Sequence, residues 1–120
     1  MRTIWKFEFD IADAVTIMMP RNADVISAAQ VQATGARAAI WALVEDTAEK
    51  EPRVIRVVGT GHPAPAAVGP SDLIATIVMS GSYTGLVFHV FADPLDRGVM
   101  TKEMPAQHRA ITRAKVLAND

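Results

Sequence analysis

The sequence predicts a mainly β fold: a small antiparallel β-sandwich or barrel of about seven strands, followed by a C-terminal helix. Three observations predict it. Apolar and polar residues alternate with period two over repeated stretches between Trp5 and Phe91. Turn-forming residues punctuate those stretches at short intervals. Both features stop after Asp93-Pro94. Strands send successive side chains to opposite faces, so alternation marks a sheet with one face buried.

The elements follow in order. Trp5, Phe7, Phe9 and Ile11 share one face of the first strand, and Lys6, Glu8 and Asp10 the other. Val15, Ile17 and Met19 repeat the pattern up to Pro20, which ends the strand because proline brings no amide hydrogen to a ladder. Asn22-Ala23 is a turn. Residues 24–32, rich in Val, Ile and small side chains, form a third strand. Thr34-Gly35-Ala36-Arg37 has the composition of a hairpin loop. Residues 39–44 are an unbroken apolar run; the short length and flanking turn signals favour a buried strand over a helix. Residues 45–52 are acidic and polar, a solvated loop. Residues 53–58 form the next strand, with Val54, Arg56 and Val58 opposite Ile55 and Val57. Gly59-Thr60-Gly61-His62-Pro63 breaks it and opens a loop reaching Pro70, which its prolines keep out of helix and central strand. Residues 73–79 and 86–91 form a hairpin around the Gly/Ser turn 80–85.

The pattern divides the chain into a β domain over residues 1–93 and a linker with a C-terminal helix or tail over 94–120. Pro105 suits the first turn of that helix. Ala106, Ala110, Ala114 and Leu117 give it a thin apolar stripe. Lys102, Arg109, Arg113 and Lys115 outnumber Glu103 and Asp120, so the tail is basic within a chain of net charge -1. His108 reads as a solvated tail residue.

Composition excludes several classes. Half of the 120 residues are hydrophobic and 21% are charged, as in one globular domain. The near-neutral balance argues against bulk attraction to nucleic acid, which needs a basic patch or stripe. There is no cysteine, so disulfides and thiolate zinc sites are excluded. Charges interrupt the opening Met-Arg-Thr-Ile-Trp-Lys-Phe-Glu-Phe-Asp, unlike a signal peptide. No apolar run approaches the roughly 18 residues of a membrane span. The expectation is a cytoplasmic protein with no membrane partner.

His62 is the most suggestive single residue. It lies in a Gly-Thr-Gly-His-Pro turn directly after a strand, where successive backbone amides can form an anion nest and Thr60 can add a hydroxyl. The plain alternative is a turn whose glycines serve geometry alone. Neither a phosphate-binding P-loop nor a dinucleotide fingerprint is present. Arg56, between Val54 and Val58, is partly buried in this reading and needs a carboxylate or a ligand phosphate. His89, between Val87 and Phe91, reads as a hydrogen-bonded histidine of a strand face. His62 and His89 lack metal-ligand spacing, so no metal and no cofactor is expected. No serine sits in a nucleophile elbow. The carboxylates Asp10, Asp13, Glu45, Asp46 and Glu49 read as solvated loop residues. Trp5 and Trp41 read as core residues, with base stacking as the alternative. The six methionines, Met18-Met19 among them, are gap-fillers or a soft contact surface. The candidate ligand-binding set is Arg56, Gly59, Thr60, Gly61, His62 and Trp5. No catalytic residue is assigned.

The phrases Ile4-Trp5-Lys6-Phe7, Met19-Pro20, Ile40-Trp41-Ala42-Leu43-Val44, Val58-Gly59-Thr60-Gly61-His62-Pro63 and Leu86-Val87-Phe88-His89-Val90-Phe91 occur in that order. Together they resemble a family of small proteins of unknown function encoded by tailed phages and prophages. The likeness covers residues 2–92, and the tail from Pro94 departs from the shorter members. The resemblance implies a phage or prophage setting in a bacterial cytoplasm and transfers no catalytic residue.

Two functional readings lead. The first is a non-enzymatic ligand binder that sequesters a nucleotide-derived host signal, an anti-defence role. The second is a structural or protein-interaction component, such as a minor virion or assembly protein; a host protein is a candidate partner beside a nucleotide-type small molecule. A homo-oligomer, with a dimer favoured, would use strand edges and methionines. An enzyme is the third reading, since no acid–base pair or nucleophile stands out.

Overall fold

Among the described residues, seven strands form: β1 (Arg2–Asp10), β2 (Ala14–Pro20), β3 (Asp24–Gln30), β4 (Arg37–Glu45), β5 (Lys50–Gly59), β6 (Leu73–Val78) and β7 (Val87–Ala92). The computed structural model describes residues 1–31 and 35–93. The expected C-terminal helix, the linker before it, His108 and part of the loop before β4 lie outside the described residues.

Every pairing is antiparallel, and two sheets result. One has the order β1-β4-β3 and the other β2-β5-β7-β6. No ladder joins them among the described residues, so the sandwich is realised and the closed barrel is not. The alternation of β1 survives intact: Phe9 is buried, while Trp5 and Phe7 pack against the core from the same face. Val15, Ile17 and Met19 of β2, Ile55 and Val57 of β5, Ile77 of β6 and Val90 of β7 meet them from the second sheet. Each such aliphatic or aromatic side chain contributes about 1.5–3 kcal/mol by leaving water.

The apolar run of β4 is the centre of the smaller sheet. Its inward residues Ala38, Ile40, Ala42 and Val44 are all buried. Phe9 stands opposite Ala38 and Trp5 opposite Ala42. Small residues beside large ones let the aromatic side chains of β1 fill the space between the sheets. The outward residues of β4 include Trp41, which pairs across the strands with Lys6 and Ser27. This corrects the expectation of a core tryptophan. An apolar run on a central strand does not say which of its residues face inward.

A second correction concerns β5, which begins at Lys50 and passes through Pro52. The solvated loop is therefore shorter than residues 45–52. Lys50 to Val54 is paired with β2, whereas β7 joins only from Ile55 onward. Among the described residues, the strand at Pro52 has a neighbour on one side only, where a missing amide hydrogen is tolerated.

Candidate functional site

The outer face of the four-stranded sheet carries the candidate residues. Across β5 and β7, Val58 stands opposite His89 and Arg56 opposite Phe91. Strand β5 ends at Gly59, and the turn begins there. The Thr60 amide donates to the Val87 carbonyl at 3.2 Å, and the His62 amide donates to the Gly59 carbonyl at 3.0 Å. Two of the amides that an anion nest would need are thus used within the fold. Binding chemistry falls instead to side chains.

The two glycines of the turn have separate roles. Gly61 has φ +88°, a left-handed conformation that glycine adopts without steric cost. Gly59 needs no special dihedral. A Cβ at Gly59 would lie 3.1 Å from His62 Nδ1, so the bare backbone there lets the imidazole fold back over the strand end. His62 itself is exposed.

Below that imidazole lies an open cleft of about 430 Å³, lined by Asp13, Arg56, Val58, His62 and Pro63 among others. Arg56 Nε donates to Asp93 Oδ2 at 3.0 Å, with side-chain exposures of 29% and 3%. Of the two partners expected for Arg56, a carboxylate or a ligand phosphate, the fold supplies a buried carboxylate, which orients the guanidinium. Among the described residues, no second carboxylate forms an ion pair with Arg56. Asp13 places a carboxylate in the wall itself. The cleft therefore presents one guanidinium and one carboxylate, with the buried Asp93 carboxylate paired to the guanidinium, and a highly charged anion gains little there.

On the other side of His62 lies a shallow pocket of about 270 Å³ lined by Val58, Thr60, Gly61, His62, His89 and Phe91, among others. Its floor is His89, held at both ring nitrogens. Thr60 Oγ1 lies 2.8 Å from Nε2 and Thr76 Oγ1 lies 3.1 Å from Nδ1. Threonine hydroxyls donate or accept, so either tautomer is satisfied. His62 and His89 thus meet at one pocket, which spacing alone could not test. Among the described residues, no group of three or more His, Asp or Glu side chains is placed to hold a metal ion.

Arg56, Gly59, Thr60, Gly61 and His62 are brought together. Trp5 is not among them. It lies on the inner side of the three-stranded sheet, tilted against Phe7 at 6.3 Å between centroids, with Lys50 Nζ 5.9 Å from its ring. The site gains Asp13, His89, Phe91 and Asp93, which the sequence reading did not assign to it. The carboxylates Asp10 and Glu49 are engaged at the surface by Arg37 and Arg21, each at 2.8 Å or less.

No helix among the described residues is long and apolar enough to cross a membrane. No curated protein and no solved structure matches the chain. A family model described as a domain of unknown function, DUF7352, matches residues 1–99, and with that match the chain belongs to the DUF7352 family.

Proposed function

We propose that the protein is a non-enzymatic binder of a small nucleotide-type ligand carrying a single negative charge, such as a cyclic phosphodiester. The reading rests on one observation: Arg56, oriented by buried Asp93, shares an open cleft with His62. The remaining features set the ligand class. One guanidinium, already paired with buried Asp93 and facing one carboxylate in the wall, suits a singly charged phosphodiester and disfavours a triphosphate. Asp13 supplies an acceptor for sugar hydroxyls. Val58 and Phe91, beyond His62, supply apolar surface for a planar ring. In a phage or prophage setting, such a protein sequesters a nucleotide-derived signal in the bacterial cytoplasm and blunts host defence.

Calorimetry with a panel of cyclic mono- and dinucleotides, ADP-ribose and nucleoside triphosphates tests this. Binding of a phosphodiester with no detectable binding of triphosphates is the expected result. If none of the panel binds, the sequestration reading fails. The second reading, a structural or protein-interaction component, then stands; the outward position of Trp41 favours it.

A further inference from the structure

The outer face of the three-stranded sheet is unlike a solvated sheet face. An antiparallel sheet packed on one side ordinarily carries polar side chains on the other. Here the outward pairs include Ile4 with Leu43 and Lys6 with Trp41, and β3 adds Ser27 opposite Trp41. The register shifts between Val25 and Ser27, so Ile26 sits in a bulge. Ile4 is 52% exposed and Ile26 is 46% exposed. A tryptophan on the central strand thus stands among exposed aliphatic side chains. Arg2, Lys6, Glu8, Asp10 and Asp24, all exposed, surround it. A large aromatic residue at the centre of an apolar patch with a charged rim is the arrangement of an interface.

The charge order along β1 indicates what covers the patch. Residues two apart share a face, and the outward row runs Arg2, Ile4, Lys6, Glu8, Asp10. One half is basic and the other acidic. A second copy laid across this face with its strands reversed about Lys6 and Trp41 brings Arg2 over the partner's Asp10 and Arg37 over the partner's Glu45, and the reverse. A two-fold contact requires such self-complementarity. We propose that the face around Trp41 is a contact between two copies of this chain, sheet on sheet, with the two-fold axis crossing the strands near Lys6 and Trp41. Lys6 pairs with Glu8 at 3.0 Å and Arg37 with Asp10 at 2.7 Å within one copy. Exposed ion pairs contribute little, so exchanging partners across the contact costs little.

The available area sets the strength. β1 and β4 are nine residues long. At about 3.3 Å per residue and about 4.8 Å between strands, three strands present roughly 400 Å² in projection. A standard stable interface takes about 800 Å² from each partner. A patch of this size points to a reversible association.

Sedimentation velocity on the full chain, from roughly 1 to 200 µM, tests the proposal. The expected result is a concentration-dependent shift from monomer to dimer. Ile4→Lys places a charge on the patch without touching the core and should raise the dissociation constant at least about tenfold. Arg2→Glu with Lys6→Glu makes the row wholly acidic, and Glu8→Lys with Asp10→Lys makes it wholly basic. Each double variant should be monomeric alone, and an equimolar mixture should form the dimer again. Circular dichroism of each variant verifies that it is folded. A wild-type chain that stays monomeric throughout, an Ile4→Lys variant that dimerises like wild type, or a mixture that stays monomeric overturns the proposal.

Discussion

Gln30 and Ser80 join the two sheets through a hydrogen-bonded clamp. The Ser80 amide donates to Gln30 Oε1 at 2.8 Å, and Gln30 Nε2 donates back to the Ser80 carbonyl at 3.2 Å. The Ser80 hydroxyl adds a third bond to Oε1 at 3.1 Å. Gln30 closes edge strand β3, and Ser80 follows edge strand β6. The carboxamide mimics a peptide group where no ladder runs between the sheets.

Gln30→Ala removes these bonds and opens the seam to water. The bonds are solvent-accessible, so the expected loss is about 1–2 kcal/mol. Urea unfolding should show a lower midpoint with an unchanged slope. An unchanged midpoint would mean that the seam is held by packing alone.

Glu8 is held below the ordinary glutamate pKa, first because Lys6 hydrogen-bonds its carboxylate and then because Arg37 adds a second cation. A carboxyl group depressed on folding adds stability above its unfolded pKa and loses it as pH falls through the folded value. The window therefore starts near 4.5, the unshifted value for Glu8, and extends downward. From about pH 5 downward, the wild type should lose stability more steeply than Glu8→Gln. Added salt should narrow the difference, because the charges are exposed. Chemical unfolding at a series of pH values measures both effects.

What was legible in the sequence follows from period two. Trp5, Phe7 and Phe9 alternate against charges, and their side of the sheet could be read directly. Trp41 could not be placed, because Ala39 to Leu43 offers no polar residue to mark the outer face. The start of β5 was hidden by Pro52 and by the charges around it, which signal a loop unless the missing β7 neighbour is known. The site was half legible. Gly59, Thr60, Gly61 and His62 are contiguous, and Arg56 precedes them on the same strand. Asp93 lies 37 residues from Arg56, and nothing local predicts that they meet. His89 was read as hydrogen-bonded, but its partners Thr60 and Thr76 arrive from a turn and a neighbouring strand.

The glycines of the turn separate geometry from packing. Gly61→Ala forces a side chain into φ +88° with open space around it. The cost is backbone strain alone, about 1–2 kcal/mol, seen as a lower melting temperature. Gly59→Ala adds a Cβ at 3.1 Å from the exposed His62 ring, which can swing away. Its melting temperature should stay close to that of the wild type, while the NMR shifts of the His62 ring change. Equal destabilisation by both substitutions would show that Gly59 also answers to the backbone.

His62→Ala tests the candidate site without disturbing the fold. The imidazole is exposed and folds over the bare backbone of Gly59, so little apolar contact is lost and the melting temperature should hold. Ligand binding should not. A hydrogen bond from the imidazole to a phosphodiester oxygen is charge-assisted, and its loss costs about 1.5–3 kcal/mol, roughly ten- to a hundredfold in affinity. Calorimetry on the wild type and the variant, with whichever phosphodiester the wild type binds, measures the ratio. His62→Gln provides the control, because its amide also donates and should recover part of the affinity. Equal affinity in wild type and His62→Ala would remove His62 from the site and leave Arg56 to carry it. A variant that unfolds would instead show that the imidazole supports the turn, and the affinity difference would then have to be read from His62→Gln.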